Sequence, residues 1–235
     1  MFHLQSHPIG VRAALLSLLF IFMHAFGSPA QAQKFQSRDT KGNLDSLIGR
    51  IESRYGRMRG LAADFEQVYR SRGVRERRER GRLFLQRPRR MRWEYDPKPG
   101  KLFIVNGRDV WFYLPADREA THASTNHVSD ARFPFLFLLG QTNLRRIFRS
   151  ITLVEGASAP EGARLLRLIP KENAGGLSEV YLTVFADGQV SKLSFTDEAG
   201  ATSEVTLTNV RENFIAPVEA FEFRPPPGVS VRRQK

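Results

Sequence analysis

Histidines and carboxylates are the first residues to test for chemistry, because the chain contains no cysteine. His3, His7 and His24 fall in the opening stretch, leaving His122 and His127 in a polar segment. Their spacing lacks the H-E-x-x-H arrangement that sets two imidazoles and a carboxylate on one helical face. No metal or other cofactor is expected. There is no G-x-S-x-G turn to raise a serine nucleophile. There is no G-x-G-x-x-G or Walker loop to cradle phosphates. Acidic residues come singly, so no acid–base pair presents itself. The sequence reads as a non-enzyme.

A second kind of chemistry is the sheltering of apolar surface. From Met91 the residues alternate strictly: Met91, Trp93 and Tyr95 point one way, Arg90, Arg92 and Glu94 the other. A period of two marks a strand with one bulky apolar face. Trp111 and Tyr113 repeat the theme, and Phe133 to Gly140 is apolar on every side. A segment that is apolar all round must be covered on more than one side, so it is read as a flap over the aromatic face. The expected cavity lining is Phe65, Met91, Trp93, Tyr95, Ile104, Trp111, Tyr113, Phe135, Leu136 and Leu139. Burial of a hydrocarbon guest there is worth about 25 cal/mol per Å².

The elements that position this face follow from periodicity. Leu44, Leu47, Ile48, Ile51, Tyr55 and Met58 recur at helical spacing, with Asn43 a candidate N-cap and Gly60 a stop. Leu61 to Tyr69 and Gly81 to Arg87 follow as strands. Pro88 is expected to bend the second before Met91 to Tyr95 continues it. Lys101 to Val105 and Asp109 to Leu114 flank an Asn106-Gly107 hairpin turn. Pro115 to Ala131 is irregular, with room for a strand. Thr142 or Asn143 can cap a short helix carrying Leu144, Ile147 and Phe148. Five further strands run from Ser150 to Val210, with turns at Asp187-Gly188 and Asp197 to Gly200. Pro225 to Gly228 leads into a basic tail.

Residues 1–32 read as a secretory signal: Arg12, an apolar run from Ala13 to Phe26, then Ala30 and Ala32 ahead of cleavage. That run is shorter than the ~20 residues of a comfortable membrane span. Residues 33–42 form a polar leader, and residues 43–235 a single domain. A net charge of +12 concentrates between Arg70 and Arg92, which favours anionic partners. Export argues against nucleic acid.

Several stretches, taken in order, resemble the periplasmic outer-membrane lipoprotein carrier family, LolA. They are Phe65-Glu66-Gln67, Gly81-Arg82-Leu83, Arg87-Pro88 with Met91 to Tyr95, and Ile104 to Gly107 with Val110 to Tyr113. Pro134-Phe135, Leu168 to Pro170, Asn213, Phe221 to Phe223 and Pro227 to Val229 complete the set. The resemblance implies a mainly β fold with α: an incomplete, half-open antiparallel β-barrel closed by a helical lid, with a hydrophobic cavity between. It implies a monomeric carrier in the periplasm of a Gram-negative bacterium. Such a carrier takes acylated lipoproteins from an inner-membrane ABC-type release complex and hands them to an outer-membrane receptor. It also implies that Arg87 latches the lid through hydrogen bonds, with Phe135 in that lid. The dense arginine hairpin and the segment Tyr113 to Thr121 depart from the family pattern. A paralogue carrying another lipid or glycolipid, or a basic module binding acidic lipid headgroups, therefore stays open.

Overall fold

The computed structural model describes residues 29–125, 143–171 and 177–234. The chain divides into two compact units, Met1–Asp39 and Thr40–Lys235. In the first, the described residues are helical from Pro29. Helix α1 spans Pro29–Arg57, so it begins well before Asn43 and runs through the stretch read as a polar leader.

The second unit is built on one twelve-stranded sheet. Its strands are β1 (Gly60–Ser71), β2 (Val74–Gln86), β3 (Arg90–Tyr95), β4 (Leu102–Val105), β5 (Asp109–Leu114) and β6 (Glu119–Ser124). Then follow β7 (Phe148–Leu153), β8 (Ala163–Pro170), β9 (Leu177–Phe185), β10 (Val190–Asp197), β11 (Thr202–Glu212) and β12 (Ser230–Arg233). The order across the sheet is β12-β6-β5-β4-β3-β2-β1-β11-β10-β9-β8-β7. Every pairing is antiparallel except that of β12 with β6. β7 and β12 are the two margins, so the sheet is open rather than a closed ring.

One face of this sheet carries the main core. Leu47, Ile48, Ile51 and Tyr55 of α1, with Met58 just past its end, pack in a single cluster with Leu83, Leu85, Met91 and Trp93 at one end. Leu166, Leu182, Leu193 and Val205 join the same cluster at the other. Their i, i+3, i+4 spacing turns one helical stripe onto the strands, and all five residues are buried. A short helix α2 (Leu144–Ile147) is capped by Asn143, whose side-chain oxygen accepts from the Arg146 N–H at 3.0 Å, as expected.

Two expectations are corrected. Pro88 does not bend a continuing strand. Arg87 to Arg89 form a reverse turn, with Arg89 at φ +49°, and Gln86 pairs back with Arg90. The basic tail is not a free exit either: Ser230 to Arg233 pair with Glu119 to His122 as the margin strand β12.

Candidate functional site

Register decides which aromatic residues share a face. Leu83 faces Trp93, Leu85 faces Met91, and Gly81 lies between Phe65 and Tyr95 across β1, β2 and β3. Directly paired residues project to the same side, so Phe65, Met91, Trp93 and Tyr95 form one patch on the α1 side. Phe65 meets Trp93 edge-on with ring centroids 4.5 Å apart, and Tyr95 at 5.1 Å. Edge-to-face geometry of this kind sets the positive ring edge against the negative ring face. The Tyr95 hydroxyl donates to Gln67 Oε1 at 3.1 Å, so the polar tip of this aromatic is satisfied at the end of the patch. Trp93 and Met91 are fully buried.

Ile104, Trp111 and Tyr113 do not join this patch. Met91 pairs with Val105 and Arg92 with Ile104, and Ile104 in turn pairs with Trp111. These three side chains therefore lie on the opposite face, beside Arg92 and Glu94. The chain after β11 covers them. Phe223 packs on Trp111 and Tyr113 at 5.4 and 5.1 Å, Phe221 is buried, and Arg92 Nη1 donates to the Ala220 carbonyl at 2.9 Å. Glu94 ties this face together. Burial works to raise its pKa, but hydrogen bonds from Arg92 at 2.7 Å and Arg82 at 2.8 Å hold it below its ordinary value. On the same face His122 stacks on Trp111 at 4.3 Å and bonds Asp109 at 2.9 Å. That bond lowers the Asp109 pKa. Phe135, Leu136, Leu139 and His127 lie outside the described residues.

Arg87 stands where β2 turns into β3, beneath the end of α1. Its Nε donates to the Met58 carbonyl at 2.9 Å and its Nη2 to the Tyr55 carbonyl at 3.0 Å. Its own N–H donates to the Arg59 carbonyl at 3.0 Å. The last carbonyls of a helix have no intrahelical donor, and a cation there also suits the helix dipole. Asn213, at φ +57°, accepts from the Arg59 N–H at 3.2 Å and completes the helix exit. Sequence reasoning singled out Arg87 but aimed it at the flap. Its described partners are Tyr55 in the last turn of α1 and Met58 and Arg59 just after it.

The far side of the helix end is also fixed. Arg54 Nε bonds Glu212 at 2.5 Å and its Nη1 bonds Asp187 at 2.8 Å. The Tyr55 hydroxyl accepts from the Val190 N–H at 3.0 Å. Burial pushes the Tyr55 pKa up to about 12, against a lowering contribution from that N–H. None of this was read from the sequence, because ion pairs between distant segments leave no periodic trace.

Two surface grooves, of about 570 and 510 Å³, run along β1, β2 and β11 where Asp64 and Arg82 lie. Neither takes in Met91, Trp93 or Tyr95. Among the described residues no cluster of three or more histidines and carboxylates is arranged to hold a metal ion. Among the same residues no helix is long and apolar enough to cross a membrane.

Residues 57–224 match the family model described as outer membrane lipoprotein carrier protein LolA. The outer-membrane lipoprotein carrier protein of Methylococcus capsulatus is 30% identical over 93% of this chain and 97% of its own. The protein of the same name from Chromobacterium violaceum is 25% identical over 79% of this chain and 87% of its own. Among solved structures, a LolA superfamily protein from Nitrosomonas europaea superposes with a TM-score of 0.42 at 13% identity. That match covers 77% of this chain and 97% of the other. The stretches from Phe65 to Phe223 that carried the resemblance fall inside the matched region, and the chain belongs to the outer membrane lipoprotein carrier family, LolA.

Proposed function

We propose that this protein is a periplasmic carrier that shelters the acyl chains of lipoproteins on its inner aromatic face. It takes them from an ATP-driven release complex of the inner membrane and delivers them to an outer-membrane receptor. The observation that carries this reading is the family match over residues 57–224, which spans the whole aromatic patch. Phe65, Met91, Trp93 and Tyr95 are the proposed lining, joined by Phe135, Leu136 and Leu139 of the apolar segment. Ile104, Trp111 and Tyr113 are left out because the chain after β11 covers them.

The physics suits a carrier. Apolar contact is non-directional, and Met and Phe surfaces adapt to guests of different shape. Several hundred Å² of acyl chain at about 25 cal/mol per Å² exceeds the cost of association. α1 packs against this patch, so loading requires α1 or its neighbours to shift. Arg87 is the proposed latch: its bonds to Tyr55 and Met58 hold the helix end down while the site is empty. Release downhill to a receptor favours moderate affinity. No step in this cycle needs a catalytic group.

The test is depletion of the protein followed by fractionation of acylated lipoproteins between the two membranes. Accumulation at the inner membrane is expected. An unchanged distribution would overturn the carrier reading.

A further inference from the structure

The β1–β2 ribbon projects past its neighbours. β3 stops pairing with β2 at Gly81, and β11 stops pairing with β1 at Arg70. Among the described residues no strand pairs with the ribbon on its β3 side from Arg80 to Val74, a reach of about 20 Å at ~3.3 Å per residue. It ends in an Arg72-Gly73 turn in which Gly73 takes φ +73°. Between Arg70 and Arg80 stand six arginines and two glutamates.

The ion pairs on this ribbon are unevenly spread. Glu76 bonds Arg70 at 2.7 Å and Arg78 at 2.8 Å, and Glu79 lies 3.5 Å from Arg77. Arg72, Arg75 and Arg80 are exposed and have no side-chain partner among the described residues. Arg80 lies at the base of the ribbon, whereas Arg72 and Arg75 flank the apex residue Val74, 60% exposed and the most exposed large hydrophobic residue described.

We propose that the tip of this ribbon docks on an anionic bilayer surface. Val74 enters the headgroup region while Arg72 and Arg75, which flank it, meet lipid phosphates. A bare cationic patch would serve any polyanion, but an apolar apex between free guanidinium groups fits an interface that is greasy below and negative above. Arg72 and Arg75 carry aliphatic stems that can lie along that boundary with their heads in the phosphate layer. Guanidinium also pairs with phosphate oxygens through two parallel N–H bonds. The site is separate from the aromatic patch and does not depend on the cargo.

The experiment sediments the purified exported protein with vesicles of phosphatidylcholine alone, and with vesicles containing about one-third phosphatidylglycerol. Partition onto the anionic vesicles is expected, and loss of most of it at about 1 M salt, where the Debye length is ~3 Å. Replacing Arg72 and Arg75 together by Ser should cut partition about 25-fold, near fivefold per arginine. Val74→Asp should cut it by at least about threefold. A control that replaces exposed Arg149 and Arg224 by Ser removes the same charge and should retain binding. Because all these positions are exposed, unchanged thermal melting shows that the variants stay folded. Equal partition onto neutral vesicles, indifference to the tip variants, or equal loss in the control would overturn the proposal. So would binding to an oligonucleotide or an acidic protein without binding to vesicles.

Discussion

Tyr55 joins helix, strand and solvent chemistry in one side chain. Its hydroxyl is buried and accepts from Val190, and burial raises its pKa to about 12. A phenol with a raised folded pKa favours folding below its ordinary value of 10, and that contribution is lost as pH rises towards 12. The shift corresponds to roughly 2–3 kcal/mol. Tyr55→Phe is expected to cost about 1 kcal/mol at neutral pH, through the orphaned Val190 N–H. Between pH 10 and 12 the parent should lose its advantage and fall below the variant. Urea midpoints measured across that range check both limbs. Arg87 gives a second prediction. Arg87→Leu removes the donors to Tyr55 and Met58 and should lower stability by about 2 kcal/mol. Loading of a fluorescent acyl probe should persist in this variant, while transfer to receptor-bearing membranes slows. Equal transfer by variant and parent would sink the latch.

At the scale of elements, alternation and helical period carried much of the reading. Leu47, Ile48, Ile51, Tyr55 and Met58 are buried as their spacing requires, and the Asn106-Gly107, Asp187-Gly188 and Asp197 to Gly200 turns fall between paired strands. What period cannot supply is parity between strands. Trp111 and Trp93 each sit on an alternating strand, but the connection from Tyr95 to Leu102 sets Met91 against Val105. A slip of one residue would have exchanged the faces. The margin strand β12 was illegible for another reason. All four of its residues are exposed, and it is joined to β6 through its main chain, which no side-chain pattern reports. Arg87 was legible as important, but its carbonyl partners at the exit of α1 were not, because a carbonyl belongs to every residue. Gly188 provides the prediction at this scale. It takes φ +86°, and an added Cβ would come within 2.7 Å of the Arg50 backbone carbon in α1. Both the turn and the helix contact therefore exclude a side chain. Gly188→Ala should destabilise by more than about 1 kcal/mol by lifting the β9–β10 turn from the helix. Calorimetric melting measures the loss, and an unchanged melting temperature would contradict the contact.

For the molecule as a whole, one apolar face must serve as core and, on the proposed function, as binding site. Trp93 tests that double duty. It is fully buried against Phe65, and Trp93→Ala should cost about 3–5 kcal/mol in urea unfolding. Trp93→Phe should keep most of the stability. If the patch receives acyl chains, that milder variant should change probe affinity without a matching change in salt dependence. An affinity identical to the parent's would remove Trp93 from the lining. The open margins bear on the same point. Among the described residues β7 and β12 do not pair with each other, so no continuous ring of hydrogen bonds fixes the circumference. A closed hoop resists swelling because each strand would have to slide against the next. A ribbon with two loose ends can flex, keeping every ladder intact while its curvature changes. Elasticity of this kind would let one small scaffold fit fatty tails of unequal number and length.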